Sequence, residues 1–126
     1  KVLSVEDNAL NMRLFSDLLD ASGYETLQCP DGAKAAALAL EEQPDLIIMD
    51  VSMPDMDGLE ATRLIREYER RHEFGRVPII AATAHAMEED RKRCRKAGMD
   101  DYIAKPLRQD AILAKIRHWL QDQMAA

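Results

Sequence analysis

Cysteine is scarce in this chain: Cys29 and Cys94 are the only two in 126 residues, far apart and without CxxC spacing. Such a pair reads as reduced cytosolic thiols, buried or incidental, and argues against a zinc site. Long apolar runs are missing too. None approaches the ~20 residues that a membrane span requires, and no signal peptide is recognisable, so a soluble, cytoplasmic chain is expected. Nor is there a basic stripe. Seventeen basic against 23 acidic residues leave a net charge of −6, which disfavours nucleic acid and anionic membranes and favours another protein or a cation as partner. Repeats, low-complexity segments and internal linkers are absent. A composition 47% hydrophobic and 32% charged fits one globular domain over 1–126, large enough to bury a core without disulfides or a structural metal. The chain begins at Lys1 without an initiator Met, with Val2 already in an apolar run, so a segment processed or cut from something longer is expected.

What is present is organised around Asp45 to Gly58, DLIIMDVSMPDMDG. Leu46 to Met49 reads as a strand buried on both faces, as in the centre of a parallel sheet, and it stops on Asp50 before a Pro/Gly loop. Val2, Leu3 and Val5 predict a first strand ending on Glu6 and Asp7, with Ser4 a polar interruption. Asn8 then caps a helix carrying Leu10, Leu14, Phe15, Leu18 and Leu19 up to Gly23. Tyr24 to Cys29 is a second strand, Pro30-Asp31-Gly32 a turn, and Ala33 to Glu42 a small-faced helix ended by Pro44. Beyond Asp50, Leu59 to Arg71 predicts a helix with Leu59, Leu64, Ile65 and Tyr68 inward, followed by a polar loop up to Arg76. Val77 to Ala82 is a fourth buried strand ending on Thr83, and Met87 to Ala97 a charged helix closed by Gly98. Asp101 to Ala104 is a brief fifth strand before Lys105-Pro106, and from Gln109 a last helix carries Ile112, Leu113, Ile116, Trp119 and Leu120 on one face.

Five strands alternating with five helices imply an α/β, doubly wound parallel sheet, for which the usual solution is the flavodoxin-like (βα)5 strand order 2-1-3-4-5. In that order Glu6 and Asp7 meet Asp50 at the carboxyl edge of the sheet, and Thr83 and Lys105 end the next two strands on the same edge. Three converging carboxylates repel one another, a conflict that a divalent cation resolves. Magnesium suits an all-oxygen site of one or two carboxylates, retained waters and phosphate oxygens. Asp7 and Asp50 would bind it, Glu6 would orient a bound water, and the Ser52 carbonyl could add a backbone ligand. Lys105 and the Thr83 hydroxyl would meet the oxygens of a phosphoryl group carried by Asp50, a sufficient kit for forming an acyl phosphate.

Glu6-Asp7, Asp50 in MDVSMPDMDG, Thr83-Ala84, and Lys105-Pro106 preceded by Tyr102 resemble, in order from Val2 to about Leu120, the receiver domain of two-component response regulators. The resemblance implies a signalling phosphoacceptor, not an enzyme acting on an external substrate, in which Asp50 takes a phosphoryl group from a phosphohistidine. The donor would be a histidine kinase or a histidine phosphotransfer domain. It implies further that Asp7 with Glu6 and Asp50 binds Mg²⁺, that Lys105 contacts the phosphate and precedes a cis peptide at Pro106, and that Thr83 and Tyr102 form a switch pair. Through that pair phosphorylation would rearrange the surface of the fourth helix, fifth strand and fifth helix, for an effector protein or a homodimer. No output domain is expected within the chain. The wording from Val77 onward, VPIIAATAHAMEEDRKRCRKAGMDDYIAKPL, looks most like receivers of hybrid histidine kinases, with stand-alone single-domain regulators a close second. Ser52 and His85 occupy the variable positions that in this family influence the phosphoryl lifetime.

The rivals are weaker. A phosphatase of the haloacid dehalogenase type would need an acid where Ser52 stands. A flavin binder would need a glycine and hydroxyl cluster that the Asn8 loop lacks, a degenerate receiver would act only as a binding module, and a purely structural module leaves five converging polar residues unexplained. Plainer roles are assigned elsewhere: Pro54 and Gly58 to turn geometry, Glu88 to Lys96 to a solvated helix face with internal pairs, His72 and His118 to the surface, and Trp119 to packing of the last helix.

Overall fold

The computed structural model describes residues 1–51, 58–83, 88–105 and 107–125, the last five of these by backbone alone. Strands β1 (Val2–Val5), β2 (Thr26–Cys29), β3 (Leu46–Asp50), β4 (Ile79–Thr83) and β5 (Asp101–Ala104) alternate with helices α1 (Ala9–Ala21), α2 (Gly32–Glu42), α3 (Gly58–Arg71), α4 (Glu88–Ala97) and α5 (Gln109–Ala125). All neighbouring strands run parallel, in the order β2-β1-β3-β4-β5. The expected fold class is the one observed.

Strand alternation divides the core into two layers. Leu3, Val5, Ile47, Met49, Ile79 and Ala81 face one cluster with Ala35, Ala36 and Ala39 of α2 and Leu59, Ala61 and Ile65 of α3. Val2, Leu46, Ile48, Ile80 and Ala82 face the other, with Phe15, Leu18 and Leu19 of α1 and Ile112 and Ile116 of α5. Every residue of β1, β3 and β4 is buried, because helices cover both faces of the sheet. Those three strands carry their polar ends, Glu6, Asp50 and Thr83, along one edge.

Several boundaries move for local reasons. The second strand starts at Thr26, since the Tyr24 amide donates to the Leu19 carbonyl (3.0 Å) and closes α1 behind Gly23, whose φ is +83°. The fourth starts at Ile79, because the Val77 amide is held by the Glu69 carboxylate at 2.8 Å and Pro78 has no amide to donate. Asp31 and Gly32 do more than turn: the Asp31 carboxylate accepts from the Ala33 amide at 2.9 Å and caps α2. Leu10 is 80% exposed, and Met12 takes its place in the core. Gly58 also corrects the sequence reading. A Cβ there would collide with the Asp50 carbonyl and lie 2.9 Å from Met49 Cγ, so the missing side chain lets α3 start directly against the end of β3.

Candidate functional site

The register of three strands assembles the site. Val5 is paired with Met49, so Glu6 and Asp7 leave β1 level with Asp50, and Asp50 pairs with Ala82, one residue before Thr83. Oxygen atoms of Glu6, Asp7 and Asp50 all lie within 4.8 Å of one another, with Glu6 and Asp50 buried and Asp7 exposed. The Asn8 cap that begins α1 also fixes Glu6: the Asn8 amide donates to Glu6 Oε1 at 3.2 Å, and Asn11 Nδ2 reaches the same oxygen at 3.5 Å. Glu6 Oε2 is buried with no hydrogen-bond partner. Burial first, and the nearby Asp50 charge second, hold the Glu6 carboxyl above the usual carboxylate range, against the pull of Lys105.

Among the described residues one cation, Lys105, stands against this acidic group. Lys105 Nζ lies 3.2 Å from Asp50 Oδ1 and 3.7 Å from Glu6 Oε2. Its position is set by backbone, since the Lys105 amide donates to the Thr83 carbonyl at 2.8 Å. The surplus of negative charge and the orphaned Glu6 oxygen are what a hard divalent cation would correct, so the donor set fits magnesium. Thr83 is buried beside this group at the end of β4.

Tyr102 is one residue into β5, half-buried, with Arg91 Cζ 4.2 Å and Lys115 Nζ 5.4 Å from its ring centroid. Its neighbour Asp101 takes Lys115 Nζ and Trp119 Nε1, each at 2.9 Å. Burial would raise the Asp101 carboxyl, but these bonds, with the Tyr102 amide, outweigh it and hold the group below its usual range. The structure thus brings together Glu6, Asp7, Asp50 and Lys105, with Thr83 at the adjoining strand end, and sets Tyr102 one strand further out under α4 and α5. Ser52, His85, Ala84 and Pro106 with its expected cis bond lie outside the described residues. The sequence reading missed Asn11 as a ligand of Glu6. It also placed Arg91 on a solvated face: Lys92–Glu88 (3.9 Å) and Arg93–Asp90 (3.8 Å) are such helix pairs, but Arg91 lies against Tyr102.

Comparison with known proteins agrees with this geometry. Residues 2–117 match the family described as response regulator receiver domain. The chain is 45% identical over 121 residues to the polar-differentiation response regulator DivK of Brucella ovis, covering 96% of each chain. The receiver domain of the sensor histidine kinase PA1611 of Pseudomonas aeruginosa, solved with a magnesium ion coordinated in its active-site cleft, superposes with a TM-score of 0.84 at 39% identity, covering 95% of this chain and 96% of that one. The Ssk1 receiver of Saccharomyces cerevisiae, solved with the histidine phosphotransfer protein Ypd1, superposes with a TM-score of 0.91 at 30% identity, over 97% and 89% of the two chains. Among the described residues no helix is long and apolar enough to cross a membrane.

Proposed function

Because this chain belongs to the response regulator receiver family, we propose that it accepts a phosphoryl group on the Asp50 carboxylate from a phosphohistidine, in a magnesium-dependent reaction. The observation that carries this reading is the Glu6, Asp7 and Asp50 cluster with Lys105 Nζ 3.2 Å from Asp50. An Asp50 oxygen attacks phosphorus, the donor's N–P bond breaks, and the leaving imidazole takes up a proton. Asp7 and Asp50 would hold Mg²⁺, Glu6 would act through a water, and the Ser52 carbonyl would complete the set. When bound, the ion supplies the charge that lets an anionic phosphoryl group approach a carboxylate. Lys105 and the Thr83 hydroxyl then meet the phosphoryl oxygens, and Gly58 lets α3 begin directly against the backbone of Asp50.

Receiver domains take their phosphoryl group from histidine kinases or histidine phosphotransfer domains, and a donor of that class is the first partner of this chain. On this reading it works in the cytoplasm as one receiver unit. The phosphoryl group adds about two negative charges at Asp50. Thr83 is drawn toward it, Tyr102 follows, and the α4–β5–α5 surface changes for an effector or a second copy.

Intact mass after incubation with Mg²⁺ and acetyl phosphate tests this directly. One phosphoryl mass is expected, dependent on metal and absent from Asp50→Asn. Lys105→Ala should fold and respond slowly or without coupling to the switch. Labelling of the Asn variant, or at an acid-stable site, would sink the assignment. Failure with both acetyl phosphate and a phosphorylated histidine phosphotransfer domain would leave only a binding module.

A further inference from the structure

Between the carboxyl ends of α2 and α3, where Asp45 leads into β3 at the end opposite Asp50, lies a cavity of about 180 Å³. Its floor is small and apolar: Ala36 and Ala39 of α2 and Ile65 of α3 are each at least nine-tenths buried. Tyr68 and Phe74 form a wall, and His72 backs it, edge-on to Tyr68 and stacked on Phe74 with ring centroids 5.6 Å apart. Phe74 is 37% exposed, one of two large apolar side chains so placed among the described residues. Backbone conformation marks the same spot. Gln43 at the mouth and Glu73 beside Phe74 have φ of +46° and +56°, and they are the two non-glycine residues with positive φ among the described residues. Helices commonly close on glycine in that conformation. A side chain kept there despite the strain points to a use for it, and such strain gathers at ligand clamps.

The charged groups around the cavity are already matched. Glu69 accepts from Arg66 and the Val77 amide, Arg76 donates to Asp100 at 2.8 Å, and Asp45 meets the Lys1 amino nitrogen at 2.7 Å. What stays unspent is neutral: the Tyr68 hydroxyl and the Gln43 carboxamide make no hydrogen bond among the described residues. An ionised ligand would lose its hydration there without gaining an unpaired counter-charge. An apolar cavity of about 150 Å³ holds one benzene ring, so this one takes a single ring with a small substituent. We propose that the cavity binds a one-ring aromatic carboxamide, its ring against Tyr68 and Phe74 over the two alanines. The Gln43 side chain both donates and accepts, and it pairs with the ligand's amide through two N–H···O bonds. A helix of a partner is far too wide for so small a space. The site is separate from Asp50 and does not depend on the phosphoacceptor reading.

The test is an amide-resolved NMR titration of the isotope-labelled full chain with benzamide, and with benzoate and benzylamine as charged counterparts of similar size. Benzamide is expected to shift the Gln43, Phe74 and Gly75 signals and to saturate with a Kd of about 1 mM or tighter. Either charged ring should bind about tenfold more weakly or worse. Phe74→Ala should weaken benzamide about tenfold, and Ala39→Leu, which fills the floor, should abolish its binding. Because Ala39→Leu can disturb packing, Gln43→Gly supplies a second variant. It relieves the backbone, so the urea midpoint should hold or rise while benzamide weakens about three- to tenfold. No saturable shift at these residues, equal or tighter binding of benzoate or benzylamine, or binding unchanged in the three variants would overturn the site. So would shifts of the same signals with protein concentration alone, which would make the cavity part of an interface between copies.

Discussion

The two edges of the sheet hold charged clusters of opposite character. At the edge opposite Asp50, Arg66 is 11% exposed and each of its three nitrogens is engaged: Nε on the Gly98 carbonyl (2.9 Å), Nη1 on Glu69 and the Val77 carbonyl, and Nη2 on Asp100 (2.8 Å). Asp100 in turn takes Arg76 and the Ile79 amide, and Glu69 takes the Val77 amide. Two cations there meet two carboxylates, tying α3, the start of β4 and the end of α4 together. At the Asp50 edge three carboxylates crowd together, two of them, Glu6 and Asp50, facing Lys105, and a buried Glu6 oxygen has no hydrogen bond. One edge is closed by its own side chains, and the other is left for something the chain does not contain. The difference separates charge that stabilises the fold from charge arranged for chemistry.

Breaking the closed edge should have the largest effect. Arg66→Met leaves Asp100 with Arg76 and the Ile79 amide and Glu69 with the Val77 amide alone, and should lower the unfolding free energy in urea by about 3 kcal/mol; a loss near that of an exposed pair would make the cluster ornamental. Gly58→Ala intrudes on the other edge, where the new methyl meets the Asp50 carbonyl and Met49, and should cost about 1–3 kcal/mol as α3 is pushed from β3. An unchanged urea midpoint would show that the close approach relaxes freely.

A smaller, pH-dependent effect sharpens the comparison. Asp101 is held below its usual 3.8, so the native form releases its proton before the unfolded one; its contribution is present above 3.8 and is lost as pH falls through the lower native value. Glu6 is held above 4.5, so its contribution has the opposite slope: full below 4.5, and lost as pH rises through the native value. Urea unfolding followed by Trp119 fluorescence should therefore lose the acid-side fall in Asp101→Asn and the rising-pH fall in Glu6→Gln. The reverse assignment would refute the placement of both groups.

The working edge was far more legible in the sequence than the closed one. Each of Asp50, Thr83 and Lys105 ends a short strand, and Glu6-Asp7 follows another, so strand order alone brought them together. Arg66, Asp100 and Glu69 lie on a helix, a connection and the same helix, and nothing in their spacing shows that they meet across the fold. Gly58 looked like a turn residue because its constraint is a backbone atom eight positions earlier, Asp50, which only packing reveals. Leu10 fitted the helical period but stands just past the Asn8 cap, where the stripe has not yet turned toward the sheet.

The most direct test of the contrast is the urea stability of the wild-type chain and Asp50→Asn, each with and without Mg²⁺. Without metal the Asn variant should be the more stable, by about 0.5–2 kcal/mol, because one of three crowded charges is gone. With Mg²⁺ at a hundred times its Kd, the wild type should gain about 2.7 kcal/mol and the order should reverse. An Asn variant less stable than wild type without metal, or a wild type indifferent to Mg²⁺, would contradict the account.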